Sequence, residues 1–392
     1  MTRARRTTRK YRRTAALVLY WRDAELVIEN FALRTSVAAD PIVCSILDYC
    51  GDWRSPREVA SYLKQYEGSS VQKALRDLCE NGILERSDHP RDLRVAAMES
   101  WAAWNPSAGF FHFCTKDTQF ATNPRAAFQE LQRRAKHDPM PLPLKTYANA
   151  RRTKLPRSNS DGEFPMVLEA RRTWRKFGRE PVPLNALAQT LELTFGIQGW
   201  VDVPDLGRAA IKTSPSGGSL HPIEAYVLVQ RVQGLRKGIH HYNAERHELE
   251  WLRTGFAEKA VERSLGHQWW FAKGAFLVLM TAVFSRTRWK YDFPRVYRGI
   301  LLEAGHLCQT FCLTATWLGL APFCTFAHTD TQWENWLGID GIHESVLYVA
   351  GAGTRPGPDG MRDATILTIN GAQQEHRAGT ALVVPPKATR SA

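Results

Sequence analysis

One densely apolar run of the chain, residues 274–284 (Gly-Ala-Phe-Leu-Val-Leu-Met-Thr-Ala-Val-Phe), is 11 residues long. A bilayer-spanning helix needs about 20 such residues, so this run does not cross a membrane. Lacking polar alternation, it reads as a strand buried on both faces. A strand of that kind demands a sheet with covers on both sides. Residues 184–195 supply one cover, an amphipathic helix with Leu184, Leu187, Leu191 and Phe195 on one stripe, ending at Gly196. Residues 294–318 supply another, a long buried helix closed by Gly319. Residues 225–230 and 345–350 are further strands. From residue 163 onward the pattern is α+β around one sheet, with no internal repeat.

The amino-terminal part has a different character. The formal net charge is +13, and seven of those positive charges (Arg3, Arg5, Arg6, Arg9, Lys10, Arg12 and Arg13) lie in the first 13 residues. That stretch is predicted to be a solvated, disordered basic tail. Residues 14–21 and 25–31 alternate as a hairpin. Three helices follow. The first covers 41–49, and the second opens on the capping box Ser55-Pro56-Arg57-Glu58. The third carries Val71, Leu75 and Leu78 on one stripe and stops at Asn81-Gly82. Ile83-Leu84 then reads as a short wing. This is a winged-helix layout over 14–86. The third helix sets only Lys73 and Arg76 against Asp77 and Glu80, a poor phosphate-binding face, so docking is favoured over nucleic-acid binding. Residues 87–162 form a connecting region and linker with an aromatic cluster (Trp101, Trp104, Phe110, Phe111, Phe113), and His112 within it reads as a packing residue.

Targeting and metal signals are weak. The apolar stretch after the basic tail ends at Arg22-Asp23 without a cleavage site, so the chain is read as soluble and cytoplasmic. Seven cysteines are scattered without a Cys-x-x-Cys pair. Cys308 and Cys312 lie one helical turn apart, but no second pair or histidine cluster completes a site, and no metal is expected.

Three segments carry chemistry. Arg171-Arg172-Thr173-Trp174-Arg175 can hold a phosphate through charge-assisted hydrogen bonds. Ser214-Pro215-Ser216-Gly217-Gly218-Ser219-Leu220-His221-Pro222 combines hydroxyls with glycines that let backbone approach a flat ligand. Lys290-Tyr291 lies on a polar turn between the apolar strand and the long helix, whose Glu303-Ala304-Gly305-His306 puts two titratable groups three residues apart.

Together these segments resemble the flavin-dependent nitroreductase fold, and specifically the SagB-type (McbC-like) azoline dehydrogenases of ribosomal peptide maturation. The likeness rests on Arg-Arg-Thr-Trp-Arg-Lys-Phe at 171–177, Pro-Ser-Gly-Gly-Ser-Leu-His-Pro-Ile-Glu at 215–224 and Tyr-Arg-Gly-Ile-Leu-Leu-Glu-Ala-Gly-His at 297–306. It implies an FMN-binding domain over 163–380, a central mostly antiparallel sheet flanked by helices, then a flexible tail over 381–392. It implies FMN held by Arg171, Arg172, Thr173 and Arg175 and by Ser214, Pro215, Ser216, Gly217 and Ser219. Lys290 and Tyr291 match the catalytic pair, one of them the base for azoline oxidation. Two departures are His221, where relatives often carry an aromatic or other residue, and Thr310, where the family has asparagine after glutamine. The amino-terminal module resembles the PqqD-like elements that bind an extended leader by adding a strand to a sheet. The implied partners are a ribosomal precursor peptide, a cyclodehydratase complex and a second copy of the chain. The alternatives are an NAD(P)H-dependent reductase of small molecules and a non-catalytic winged-helix or scaffold protein.

Overall fold

The computed structural model describes residues 9–120, 122–138, 155–156, 161–205 and 207–357. The Pro-rich stretch 139–143, most of the linker 151–160 and the tail 381–392 lie outside the described residues.

The tail read over 1–13 ends earlier than the sequence predicts. Tyr11–Arg13 form a strand, β1, because the Tyr11 ring is buried in a small core and its backbone has a partner. A meander of β2 (Leu17–Arg22), β3 (Glu25–Asn30) and β4 (Thr35–Ala39) follows, antiparallel throughout. β4 has no counterpart in the sequence reading; Thr-Ser-Val-Ala-Ala is too short a run to signal by itself. Next come α1 (Ile42–Tyr49), α2 (Pro56–Tyr62) and α3 (Gly68–Glu80). The capping box at the start of α2 is formed: the Ser55 backbone N–H donates to Glu58 Oε2 at 2.7 Å, and the Ser55 hydroxyl accepts from the Glu58 N–H at 3.3 Å. The wing strand β5 (Leu84–Arg86) pairs with β1 rather than forming a hairpin wing. Tyr11, Ile28, Val43, Ile46, Val59, Val71, Leu75, Leu78 and Leu84 share one core.

Residues 93–115 form α4 (Leu93–Ala97), a 3-10 stretch and α5 (Ser107–Thr115). Trp101 and Trp104 are wholly buried and their indoles reach far along the chain. The Trp101 N–H donates to the Ile342 carbonyl at 2.8 Å and the Trp104 N–H to the Tyr291 carbonyl at 3.1 Å. His112 packs among them, as expected, with two hydrogen-bond partners: Tyr297 Oη at 2.7 Å and the Gly341 carbonyl at 3.1 Å. Burial, with Lys116 nearby, pushes its pKa down to about 3, so the ring is neutral and the Tyr297 hydroxyl donates to it. A second unit, 121–157 with 365–392, contains α6 (Pro124–Ala135), whose Arg133 and Arg134 pair with Glu130 and Asp138.

The remainder runs α7 (Glu163–Ala170), α8 (Leu184–Phe195), the ribbon β6 (Gly199–Val203) and β7 (Gly207–Ile211), then β8 (Ile223–Val229), β9 (Gly238–Asn243), β10 (Glu248–Arg253), α9 (Glu258–Ser264) and β11 (Phe276–Val283). It ends with α10 (Phe284–Lys290), α11 (Val296–Trp317), β12 (Leu320–Thr325), α12 (Asp330–Leu337) and β13 (Glu344–Thr354). Six strands make the main sheet in the order β10-β9-β8-β11-β13-β12, every pair antiparallel. The expected α+β fold around a mostly antiparallel sheet is therefore present.

β11 behaves as its sequence demands. Phe276, Val278, Met280 and Ala282 join one core with Leu187 and Leu191 of α8 and Ile300, Leu307 and Phe311 of α11. The alternate residues Leu277 and Leu279 join another, with Val261 of α9, Trp333 of α12, Phe271 and Phe323. Each buried leucine contributes roughly 1.5–3 kcal/mol. No described helix is long and apolar enough to cross a membrane.

Candidate functional site

The loop after β7 is built from left-handed backbone. Gly218, Ser219 and His221 have φ of 68°, 55° and 42°. Ser216 fixes the turn, accepting the His221 backbone N–H at 2.9 Å. The His221 ring, at 2.9 Å from the Ala210 carbonyl, ties the loop to β7. Ser214 is buried and its hydroxyl lies 2.9 Å from Thr310 Oγ1. Thr310 in turn donates to the His306 carbonyl at 3.0 Å, which leaves Ser214 as the donor of the pair. The threonine at 310 thus anchors the loop to α11.

Gly218 reveals what faces this loop. A Cβ there would lie 2.8 Å from Lys290 Nζ and 2.9 Å from Tyr291 Oη. Both distances are too short for carbon, so a side chain at 218 would collide with the two groups. The pair does not sit on a turn: Lys290 is the last residue of α10 and Tyr291 its C-cap. The helix forms because Phe284 and Thr287 bury one face of 284–290, a short pattern hidden among basic residues. Lys290 Nζ lies 5.6 Å from the centre of the Tyr291 ring, and the Tyr291 carbonyl is pinned by the buried Trp104.

Glu303 completes this group. Its carboxylate faces the Ser216 hydroxyl and the Gly217 N–H, which favour its charged form, yet burial outweighs them and Lys212 and pushes its pKa up to about 7. Its predicted companion His306 is exposed on α11 while Glu303 is buried, so the two do not share an environment. Lys212 is itself shifted down by burial. Lys212 was missed as a site residue, and Glu303, marked in the sequence only by its spacing from His306, gains its place against the loop from the fold.

The arginine segment divides its work. The Arg172 guanidinium donates to the carbonyls of Arg171 (2.7 Å) and Glu169 (2.5 Å), closing the end of α7. Arg175 is half-buried, its pKa shifted down by desolvation, with no carboxylate partner among the described residues. Arg171 acts electrostatically on the thiols of Cys312 and Cys324. Glu303 and Cys312 are nine residues apart on α11, about 13 Å along the helix. No hydrogen bond joins segment 171–175 to the 214–219 loop among the described residues. Two polar stations spaced along one helix, one of them a glycine cradle under Lys290 and Tyr291 and the other beside the Arg171 guanidinium, fit an elongated ligand with a flat end and an anionic end.

Two buried groups lie outside that arrangement. Lys116 Nζ sits 2.7 and 2.6 Å from the two carboxylate oxygens of Glu334, and Ser345 donates to the same carboxylate at 2.5 Å. Cys324 of β12 brings a third thiol to Cys308 and Cys312, all three sulfurs within 4.8 Å of one another. Neither the partner of Lys116 nor the third thiol has a signal in the sequence.

Residues 168–354 match the family model described as the Nitroreductase family. Over 317 residues the chain is 26% identical to the trifolitoxin-processing protein TfxB of Rhizobium leguminosarum bv. trifolii, across 75% of this chain and 82% of that protein. Over 143 residues it is 29% identical to the microcin B17-processing protein McbC of Escherichia coli, across 35% of this chain and 52% of McbC. Among solved structures, the E. coli microcin synthetase McbBCD complex with truncated pro-MccB17 bound contains a chain that aligns with a TM-score of 0.45 at 21% identity, covering 68% of this chain and 98% of that one.

Proposed function

With residues 168–354 forming a nitroreductase-family domain, we propose that the protein is an FMN-dependent dehydrogenase that matures a ribosomally made peptide by oxidising thiazoline or oxazoline rings to azoles. The observation that carries the reading is the convergence of Lys290 Nζ and Tyr291 Oη on Gly218 of the 214–219 loop. A nitroreductase-family domain alone would equally serve a small-molecule reductase. The two peptide-processing relatives, one aligned across most of this chain, favour a peptide.

Arg171 and Arg175, with Thr173, would hold the FMN phosphate, and the Ser214–Ser219 loop would receive the flavin ring. FMN, when bound, supplies the two-electron acceptor. Lys290 or Tyr291 removes the ring proton, and the rigid end of α10, fixed by Trp104, keeps that base at a constant distance from the loop. Glu303 steadies the cradle through Ser216 and the Gly217 N–H. The amino-terminal module over 14–86 binds the leader as an added strand, with a cyclodehydratase delivering the azoline. Two copies associate through α7 and α11, which leave Phe164, Met166, Leu301 and Leu302 exposed.

Purified protein reconstituted with FMN should be yellow and should remove two hydrogens from a thiazoline-bearing precursor peptide, read by mass spectrometry. Failure to bind FMN defeats both flavoenzyme readings. Turnover of nitroaromatics with NADPH, with the peptide left untouched, would replace this reading with the small-molecule one.

A further inference from the structure

The proposed oxidation leaves the three converging thiols of Cys308, Cys312 and Cys324 without a role. We propose that they bind one soft divalent cation of the zinc type, with each sulfur a ligand. The first argument is geometric. Ligands about 2.3 Å from a central ion stand roughly 3.8–4.0 Å from one another, and all three sulfurs already lie within 4.8 Å. Closing on an ion therefore needs only small side-chain adjustments. Two of the ligands project from adjacent turns of one face of α11 and the third from β12 opposite, so rigid elements present them.

The second argument is charge. Three thiolates around a divalent ion leave one negative charge, and a buried site must compensate it. Arg171, whose guanidinium acts on Cys312 and Cys324, sets a positive charge beside the group and offsets part of that charge, while it also faces the proposed phosphate position. A monovalent soft ion would leave a larger surplus. The third is the surrounding shell. The Tyr348 hydroxyl donates to Cys324 Sγ at 3.4 Å, the kind of outer contact that orients a ligand. With no carboxylate or imidazole in the cluster, the donor set selects a thiophilic ion over a hard one. The ion would clamp the second half of α11 to β12.

The test uses the full chain, reduced, stripped with a chelator, and titrated with Cd²⁺ by ultraviolet difference spectroscopy and with Zn²⁺ by elemental analysis. One equivalent should bind, with a thiolate charge-transfer band that saturates at one-to-one and persists in Cys114→Ser, the exposed thiol. Cys312→Ser and Cys324→Ser should each abolish it, with circular dichroism reporting the fold. Tyr348→Phe, which keeps every ligand, should weaken binding about 10-fold and serves if the serine variants do not fold. No saturable band in the reduced parent protein overturns the proposal, and so does a band that survives Cys312→Ser. Cysteine-linked pairing of these three residues in the aerobic protein, with no metal uptake after reduction, overturns it equally.

Discussion

Lys116 and Lys290 are the same side chain in opposite circumstances. Lys116 is buried, gripped by both oxygens of Glu334, with Ser345 completing the carboxylate and Gly341 leaving the room they need. Lys290 is exposed, has no carboxylate within ion-pair reach among the described residues, and lies against Tyr291 and the backbone of Gly218. The two acids differ likewise. Burial raises Glu334 against the pull of its lysine, while Glu303 rises to about 7 with only neutral donors touching it and Lys212 farther off. The lesson is that a charge with its full set of partners holds structure together. A charge held on a rigid element without them is available to a ligand or a proton.

The largest effect should come from the unpartnered pair. Lys290→Ala and Tyr291→Phe are expected to lose about 10²–10⁴ in turnover, the usual worth of a general base, with flavin content and unfolding midpoint unchanged. Wild-type rates in both would erase the contrast. Next, Lys116→Ala should cost about 3–5 kcal/mol in urea unfolding, because it strands a buried carboxylate. Lys116→Met with Glu334→Leu should recover most of that loss, and a double variant as unstable as the single would show that the pair is not the cause. Arg175→Ala should weaken FMN about 10- to 100-fold, one charged hydrogen bond being worth roughly 1.5–3 kcal/mol. Full flavin occupancy in an Arg171→Ala, Arg175→Ala double variant would move the phosphate elsewhere.

The smallest effect concerns Glu303 and pH. Its folded pKa is raised, so the folded protein holds the proton more tightly than the unfolded chain does. Stability from this group is therefore greatest at acid pH and declines as pH rises through about 7. Glu303→Gln should flatten that slope in the flavin-free protein, an effect of order 1–2 kcal/mol. An unchanged slope would place the titrating group elsewhere.

Much of this was legible in the chain. The β11 run announced a doubly covered strand because hydrophobicity without alternation has few other uses. Ser55-Pro56-Arg57-Glu58 announced its helix because a capping box is local chemistry. Arg171–Arg175, Ser214–Ser219 and Lys290-Tyr291 stood out by composition and by family likeness. What escaped was pairing at long range. Lys116 meets Glu334 across 218 residues, and nothing in either neighbourhood signals the other. Cys324 joins Cys308 and Cys312 only because β12 runs beside α11. β1 passed for tail because its basic residues masked a buried Tyr11, and α10 passed for a turn because two buried positions are too few to reveal a period.

The order of the strands also bears on how the protein is made. Among the described residues β13 is the last strand to be synthesised, yet it lies between β11 and β12 and supplies hydrogen bonds to both. Until residues 344–354 emerge from the ribosome, β12 has no partner in the sheet, and one edge of its most apolar strand, β11, stands unpaired. Contacts of such long sequence separation form late and slowly, and an open edge of this composition invites association with other chains. The nascent protein is thus most vulnerable in the interval before residues 344–354 have emerged. A chain terminated ahead of β13 should collect in aggregates, with no smaller, colourless enzyme left in solution.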